Sequence, residues 1–281
     1  METHFSLQPF LLAVTLMLCM SCSRREVTFI QISDPQIGFF ADNKDIVKDS
    51  VNLATAVDQI NRLQPDFVVV TGDMVNSEKS ARQLDCYAEV MSRIDDSIPV
   101  WQVPGNHDLG HGSTDAAIDS YVDRYGYQRF SFRYRGCAFI GINTCVIKDQ
   151  NIQQEEDQYE WLEKQLKKYS ENSDEIFVFS HYPFFIRRFD EKTGYSNLCM
   201  ESRLRYWSLF KKYGVTAVVA GHLHDTVNSE HDGIVMYTAG PVGRPLGNGY
   251  SGLTVWRTDP RTGTSSHEYI SLEGMCAKVT L

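Results

Sequence analysis

An amide, an imidazole and a carboxylate stand side by side where the chain reads Gly105-Asn106-His107-Asp108. The apolar run at residues 98–103 comes just before them and predicts a strand that ends at this motif. An amide oxygen can bind a metal ion, and an imidazole can bind a metal, donate a proton or stabilise negative charge. The motif therefore predicts a metal or acid–base site at a strand end, although so short a motif needs support from other residues.

Four further polar clusters also follow apolar runs that predict strands. They are Asp34 with Gln36, Asp73 with Asn76, His181, and His222 with His224. Loops after the carboxyl ends of strands in an α/β sheet converge on one edge, so these clusters are expected to meet. Carboxylates, amides and imidazoles together suit two divalent cations better than one closed structural zinc. No cysteine takes part, which disfavours a thiolate zinc site.

The elements that must position these clusters alternate between strand and helix in the early part of the chain. Apolar runs predict strands at residues 27–33, 67–71, 98–103, 175–179 and 215–220, and spacing by three or four predicts helices at 47–60, 81–91, 118–125, 159–169 and 204–213. Residues 127–134, 137–144, 234–239, 253–258 and 267–272 predict further strands, and residues 184–201 are irregular. No linker divides residues 22–281, so we expect one α/β domain.

The five clusters, in this order, are similar to the signature of the calcineurin-like metallophosphoesterases: D-x-H, GDxx[DN], GNH[DE], a lone His after a strand, and GHxH. Here the blocks read Asp34-Pro35-Gln36, Gly72-Asp73-Met74-Val75-Asn76, Gly105-Asn106-His107-Asp108, His181 and Gly221-His222-Leu223-His224. The resemblance covers residues 27–258. It implies a four-layer α-β-β-α sandwich of two mixed sheets flanked by helices.

The resemblance also implies two divalent metal ions and a distinct set of ligands for each. Asp73 would bridge the two ions. Asp34 and His224 would hold the first ion, and the second would be held by Asn106, His181 and His222.

A catalytic role is implied for His107, which would contact the substrate phosphate. It would donate a proton to the leaving oxygen or stabilise developing charge. Asn76 occupies a position that can hydrogen-bond His107 and fix its ring. Because many members have Asp there, Asn76 is expected to orient His107 with less effect on its pKa.

Gln36 departs from the signature, since many members have His at this position on the first metal. A Gln amide oxygen can still ligate, and it would favour Mn, Fe or Mg over Zn. Alternatively, Gln36 does not ligate and water fills the place. The Asp-Pro-Gln block, together with residues 241–247 and 251–253, is similar to one branch of the superfamily, which includes eukaryotic serine/threonine protein phosphatases.

The implied activity is hydrolysis of phosphate esters by a hydroxide that bridges the two metals. The expected substrate is a phosphorylated small molecule or a phosphoprotein. A phosphodiester or nucleotide is the alternative, and a noncatalytic metal- or phosphate-binding surface lipoprotein is the alternative of another class. Tyr182, which follows His181, and Arg244 are the predicted substrate contacts.

The chain of 281 residues has a net charge of −9 and a pI near 5.4. This charge argues against binding to a nucleic acid backbone, which requires a basic surface. It leaves a phosphate substrate possible, because a bound metal reverses the local field. The seven cysteines form no CxxC after the N-terminal region, so zinc-ribbon and redox-pair sites are not expected.

The N-terminal residues 1–21 predict a signal peptide. Residues 10–20 are apolar but about half the length of a membrane span, and Cys19-Met20-Ser21-Cys22 follows. The pattern resembles bacterial lipoprotein signals, which implies lipid on Cys22 and an extracytoplasmic, membrane-anchored protein. The alternatives are a signal peptide cut elsewhere and an uncleaved anchor.

Overall fold

The computed structural model describes residues 26–247 and 249–272, and within them the chain forms eleven strands and six helices. The strands are β1 Val27–Ile32, β2 Phe67–Val70, β3 Val100–Gln102, β4 Phe130–Tyr134, β5 Cys137–Gly141, β6 Glu175–Phe179, β7 Ala217–Ala220, β8 Val227–His231, β9 Ile234–Thr238, β10 Gly252–Asp259 and β11 Thr264–Ser271. The helices are α1 Val47–Leu63, α2 Ala81–Met91, α3 Asp115–Tyr125, α4 Thr144–Lys148, α5 Ile152–Ser170 and α6 Met200–Tyr213.

The strands form two mixed sheets. The first has the order β11-β10-β1-β2-β3, with β1, β2 and β3 parallel and β10 antiparallel to both neighbours. The second has the order β4-β5-β6-β7-β9-β8, with β5, β6, β7 and β9 parallel and antiparallel edge strands. The two mixed sheets with flanking helices confirm the predicted fold class.

An aromatic core lies between the two sheets. Alternate residues of a strand face opposite sides, so Phe29 points into this layer while Ile30 belongs to the outer, helix-covered layer. The Phe29 ring stacks on Phe67 at 5.2 Å and on Trp256 at 5.7 Å, and Phe139 meets it edge-on at 5.5 Å. Each buried ring contributes roughly 2–3 kcal/mol of transfer free energy. This layer holds the two sheets together beneath their loops.

Helix α1 buries only the second half of the apolar pattern that predicted it over residues 47–60. Val47 and Val51 are 63% and 57% exposed, whereas Leu53, Val57 and Ile60 are buried. The stripe that packs on the sheet starts at Leu53, and the early valines lie off it. Near the start of the helix, the buried carboxylate of Asp49 instead accepts the backbone N–H of Gly38 at 3.0 Å.

Two short elements were not predicted. The strand expected over residues 137–144 ends at Gly141, because the Asn143 side chain accepts the N–H of Cys145 and caps α4. Strand β8 is polar and half-exposed at the sheet edge, so its sequence has no apolar pattern.

Cys86, Cys137, Cys145 and Cys199 are free thiols, and Cys276 lies outside the described residues. None of the helices described combines the length and hydrophobicity that crossing a bilayer requires.

Candidate dimetal centre

The carboxyl ends of five strands meet at one edge of the sandwich. Asp34, Asp73, Asn106, His181 and His222 follow β1, β2, β3, β6 and β7. Within each sheet these strands are parallel, so their carboxyl ends share an edge. The two sheets are tied together there, because the Gln31 side chain of β1 donates to the Ala220 carbonyl of β7 at 2.8 Å. The predicted convergence of the clusters is what the structure shows.

The backbone at this edge is strained in a consistent way. Five candidate ligands have left-handed backbone, with φ of 48° at Asp34, 37° at Gln36, 53° at Asp73, 72° at His222 and 52° at His224. Each such residue costs of order 1–3 kcal/mol and persists only where its surroundings impose it. This concentration of strain at one strand edge marks a functional site.

Glycine is required where two of the loops cross. A Cβ on Gly105 would collide with the Asp73 carboxylate, and Gly72 has φ +90°. The glycines of the GD and GN motifs therefore allow the loops after β2 and β3 to approach each other closely.

Two groups of buried side chains could each hold a metal ion. One group is Asp73, His181 and His222, and the other is Asp34, Asp73 and His224. In each group one donor atom per residue lies within 4.8 Å of the others. Asp73 belongs to both groups, which is the arrangement of a carboxylate shared by two ions.

The histidines are held so that particular nitrogens face the carboxylates. His181 Nδ1 lies 2.8 Å from the Thr71 carbonyl, and His224 Nδ1 lies 2.6 Å from the Arg244 carbonyl. Each Nδ1 is therefore the donor, and each Nε2 is the ring nitrogen that a metal would use. His181 Nε2 lies 3.4 Å from Asp73 Oδ2, and His224 Nε2 lies 3.5 Å from Asp34 Oδ1.

Asn106 lies with the first of these groups. Its Oδ1 is 3.1 Å from His181 Nε2, and His222 Nδ1 is 3.3 Å from the same nitrogen. The Asn106 amide nitrogen lies 3.2 Å from Nδ1 of His111, which directs the amide oxygen toward the group. His111 lies in the loop that follows the Gly105-Asn106-His107-Asp108 motif. It is exposed, but it also orients Asn106, because the turn brings the His111 N–H onto the Asn106 carbonyl at 2.8 Å.

The electrostatic environment of Asp34, Asp73 and His222 favours the binding of cations. Burial raises the pKa of Asp34, although His224 and His181 oppose the shift. Burial would also raise the pKa of Asp73, but the neighbouring His181 lowers it below its usual range. Burial and the charge of His181 lower the pKa of His222 to about 2, so His222 offers a lone pair. Among the described residues, the ion-pair partners of these two carboxylates are histidines alone, without lysine or arginine. Carboxyl oxygens buried beside the unprotonated His222 ring, and not paired with lysine or arginine, are suited to bind divalent ions.

Comparison with known proteins agrees with this geometry. A family model for calcineurin-like phosphoesterases matches residues 27–226. The chain is 32% identical over 245 residues to serine/threonine-protein phosphatase CPPED1 of Danio rerio, covering 81% of this chain and 79% of that protein. It is 30% identical over 247 residues to the protein of that name from Rattus norvegicus, covering 81% and 78%. The chain belongs to the calcineurin-like phosphoesterase family. It is thus a metal-dependent phosphoric ester hydrolase with a dimetal site.

Solved structures share the fold of this phosphoesterase at low sequence identity. A dimetal phosphatase from Danio rerio superposes with a TM-score of 0.65 at 15% identity, covering 88% of this chain and 96% of that one. The purple acid phosphatase PPD1 of yellow lupin gives 0.66 at 16% identity, covering 89% and 52%. These likenesses show that both solved proteins share the two-sheet fold of this chain.

His107 stands at the mouth of the phosphoesterase site, partly exposed. Its Nδ1 lies 2.9 Å from the backbone carbonyl of Asn76, and its N–H donates to Asp73 Oδ1 at 2.8 Å. The residue predicted to fix the His107 ring does so, but through its carbonyl. The Asn76 side chain instead accepts from Gln36 Nε2 at 3.1 Å and donates to Asn43 at 2.8 Å. An Asn in place of Asp therefore does not act on His107 directly, which corrects the predicted pKa effect.

Asp108 links the two central loops. Its Oδ1 accepts the N–H groups of Met74 at 2.9 Å and Val75 at 3.4 Å, and its Oδ2 accepts that of Gly105 at 2.8 Å. The carboxylate keeps the loops after β2 and β3 in register with each other, and this is a structural function.

The two predicted substrate contacts have unexpected surroundings. Tyr182 is 3% exposed, and its ring packs on His222 with centroids 4.1 Å apart. The prediction that Tyr182 binds substrate is therefore not supported, because burial in the sheet edge turns the ring against a candidate ligand. Arg244 supplies its carbonyl to His224, and its guanidinium lies 5.3 Å from the Phe39 ring centre.

Gln36 has one amide atom in use and one free. Its Nε2 binds Asn76, and its buried Oε1 has no hydrogen-bond partner within the described part of the chain. A buried oxygen in this state costs about 1–3 kcal/mol unless an ion or a water binds it. The unpartnered Oε1 favours the first of the two predictions for Gln36, in which this oxygen binds one metal, over the alternative in which Gln36 does not ligate and water fills the place.

We expect Gln36→Leu to weaken one of the two metal sites by about 10- to 100-fold, the scale for losing a supporting oxygen. Calorimetric titration of the metal-free variant with Mn²⁺ would show weakened metal affinity at one site and unchanged affinity at the other. Asn43→Ala is the control, since it disturbs the partner of Asn76 and leaves the Gln36 oxygen in place. If both sites of Gln36→Leu bind Mn²⁺ with unchanged affinity, Gln36 does not contribute to metal binding.

Proposed function

We propose that this phosphoesterase is a phosphomonoesterase that acts on phosphorylated small molecules or phosphoproteins. The main evidence is that two buried groups of candidate metal ligands share Asp73, with His107 at the entrance to the site. In this proposal Asp34, Asp73 and His224, supported by Gln36, hold one ion, and the second is held by Asp73, Asn106, His181 and His222. When bound, the ions supply Lewis acidity and neutralise phosphate charge.

His107 acts as an acid in this proposal. Its Nδ1 hydrogen is committed to the Asn76 carbonyl, so any transferable proton is carried by Nε2. The protonated ring can therefore donate from Nε2 to the leaving oxygen while its orientation stays fixed. One ring nitrogen orients His107 and the other can transfer a proton. A protein that only binds phosphate does not need this arrangement.

Two kinds of relative bear on the substrate. The relatives from Danio rerio and Rattus norvegicus are named serine/threonine-protein phosphatases, which supports a monoester substrate and the proposed membership in the branch with the Asp-x-Gln block. A probable glycerophosphodiester phosphodiesterase of Arcobacter nitrofigilis is 24% identical over 220 residues, covering 75% of this chain and 76% of that protein. That relative favours a phosphodiester as the second candidate.

The deciding experiment compares p-nitrophenyl phosphate with bis-p-nitrophenyl phosphate. The chain from residue 23 onward is stripped of metal and then given Mn, Fe, Zn or Mg. Metal-dependent turnover of the monoester at a higher kcat/KM than the diester supports the phosphomonoesterase. A preference for the diester moves the assignment to phosphodiesterase, and two bound metals without turnover of either ester would favour a binding protein.

We also propose that the protein is extracytoplasmic and anchored to a bacterial membrane by lipid on Cys22. Residues 1–25 lie outside the described residues, so the support is the sequence of the apolar run at 10–20 and the cysteine that follows it.

Expression of the whole chain in a bacterium tests the anchor. We expect the wild-type protein to partition into Triton X-114 detergent and to start at residue 22 with an added lipid mass. Cys22→Ala should leave the detergent phase or keep its leader uncleaved, whereas the control Cys19→Ala should behave as wild type. Equal partition and equal mass of the wild-type protein and Cys22→Ala would contradict the anchor.

A further inference from the structure

The irregular segment at residues 183–199 is held rigidly by its own polar side chains. The Glu191 carboxylate accepts the backbone N–H groups of Ile186, Arg187 and Arg188 at 2.7, 2.9 and 3.1 Å. The Asn197 side chain donates to the same carboxylate at 2.7 Å. The Glu191 carboxylate therefore binds both the first and the last part of the segment.

Two cations from neighbouring helices fasten this segment to the domain. Arg203 of α6 is fully buried and donates to the carbonyls of Leu198, Phe189 and Glu191 at 2.9, 2.8 and 2.7 Å. Lys148 of α4 donates to the carbonyls of Gly194 and Asn197 at 2.5 and 2.8 Å. The turn at residues 194–197 is thus tied down on both sides.

This turn presents Tyr195 to solvent beside the dimetal centre. The side chain is 65% exposed, yet its ring centre lies 5.1 Å from that of His222, which is buried. An exposed aromatic ring loses rotamer freedom when it is held in place and gains little from burial. Core packing therefore does not account for the position of Tyr195 beside His222.

The Tyr195 ring lies beside His222, which belongs to the ligand group that also contains Asn106 and His181. One amide hydrogen of Asn106 faces His111 Nδ1 at 3.2 Å, and its oxygen faces His181. The Tyr195 hydroxyl interacts with the Asn106 side chain. A phenol O–H can donate as well as accept a hydrogen bond. The Tyr195 hydroxyl is therefore placed where it can donate to an oxygen bound at this ligand group.

We propose that Tyr195 is a substrate-binding residue of this phosphoesterase, whose hydroxyl donates a hydrogen bond to a non-bridging phosphoryl oxygen on the Asn106–His222 side of the centre. This inference rests on the proposed phosphatase function. It assigns the exposed tyrosine, and not the buried Tyr182, to the substrate. It also explains why the 183–199 segment is held in place, because a hydrogen bond to a charged oxygen requires a donor at a constant position.

Tyr195→Phe tests the proposal, since it removes the hydroxyl and keeps the ring. We expect kcat/KM for p-nitrophenyl phosphate to fall about tenfold or more, the scale of a hydrogen bond to a charged group. Binding of inorganic phosphate to the metal-loaded protein, measured by calorimetry, should weaken by a similar factor. The metal content should stay at the wild-type value. Tyr213→Phe is the control, because its hydroxyl binds Glu163 in the outer helical layer, and it should leave both quantities unchanged.

Each other outcome overturns the proposal in a recognisable way. Unchanged kcat/KM and unchanged phosphate binding in Tyr195→Phe would exclude a substrate contact. Loss of metal from Tyr195→Phe would make the residue a support for Asn106 instead. If the wild-type protein fails to turn over phosphate esters, the proposed function fails, and phosphate binding still decides the position of Tyr195.

Discussion

Asp73→Asn should abolish the dimetal centre as a unit and lower phosphoesterase activity by at least about a thousandfold, equivalent to roughly 4 kcal/mol of transition-state stabilisation. The reason is that Asp73 belongs to both ligand groups, so one substitution removes an anionic donor from each. An amide oxygen carries no net charge and cannot neutralise two divalent ions. Its NH₂ group would also face the ring nitrogen of His181, 3.4 Å away, if the amide were reversed.

Metal analysis and thermal unfolding would check this result. The wild-type protein should bind two equivalents of Mn²⁺ and gain stability from them, by about 2.7 kcal/mol for each site at a hundredfold excess over Kd. Asp73→Asn should bind fewer than two equivalents and lose most of this stabilisation. Asp49→Asn is a matched control, because Asp49 is a buried carboxylate that binds the Gly38 backbone. Full metal occupancy in Asp73→Asn would show that the carboxylate is not shared.

His107→Gln should lower kcat by about 10²- to 10⁴-fold while both metals remain bound. His107 belongs to neither ligand group, and the Asn76 carbonyl fixes its ring, so the imidazole acts on substrate without holding an ion. The substituted side chain can still form a hydrogen bond but cannot transfer a proton at neutral pH. The measured quantities are kcat on p-nitrophenyl phosphate and the bound metal.

The leaving group distinguishes proton donation from charge stabilisation. If His107 protonates the leaving oxygen, the loss in His107→Gln should be larger for an alkyl phosphate, whose leaving group is basic, than for p-nitrophenyl phosphate. An equal loss on both esters would make His107 a stabiliser of phosphoryl charge. Retained kcat on both, or a parallel loss of metal, would exclude the proposed catalytic role.

Much of the site could be predicted before the structure because its determinants are local. Strands such as β2 are continuous apolar runs, and polar residues directly after parallel strands share an edge whatever the details of packing. Asp34, Asp73, Asn106, His181, His222 and His224 converge for this reason. The family resemblance added their order and implied roles, and the family match over residues 27–226 shows that the chain is a member.

Other features could not be predicted, because they depend on which backbone or side chain approaches from elsewhere in the fold. The Asn76 carbonyl, and not its amide, meets His107 because the side chain is drawn away by Gln36 and Asn43. Burial of Leu53 instead of Val47 in α1 follows from the helix's rotation on the sheet, which apolar spacing alone left ambiguous.

The sequence by itself determined the α/β class and the set of metal-binding residue types, since strand periodicity and strand-end chemistry are properties of short segments. Only the tertiary structure decided which tyrosine meets the substrate side of the centre. Tyr182 follows a candidate ligand directly but is buried by the sheet edge, while Tyr195 is carried there by a turn that Lys148 and Asn197 fasten. Long-range hydrogen bonds to backbone carbonyls set that position, and they leave no periodic trace in the sequence.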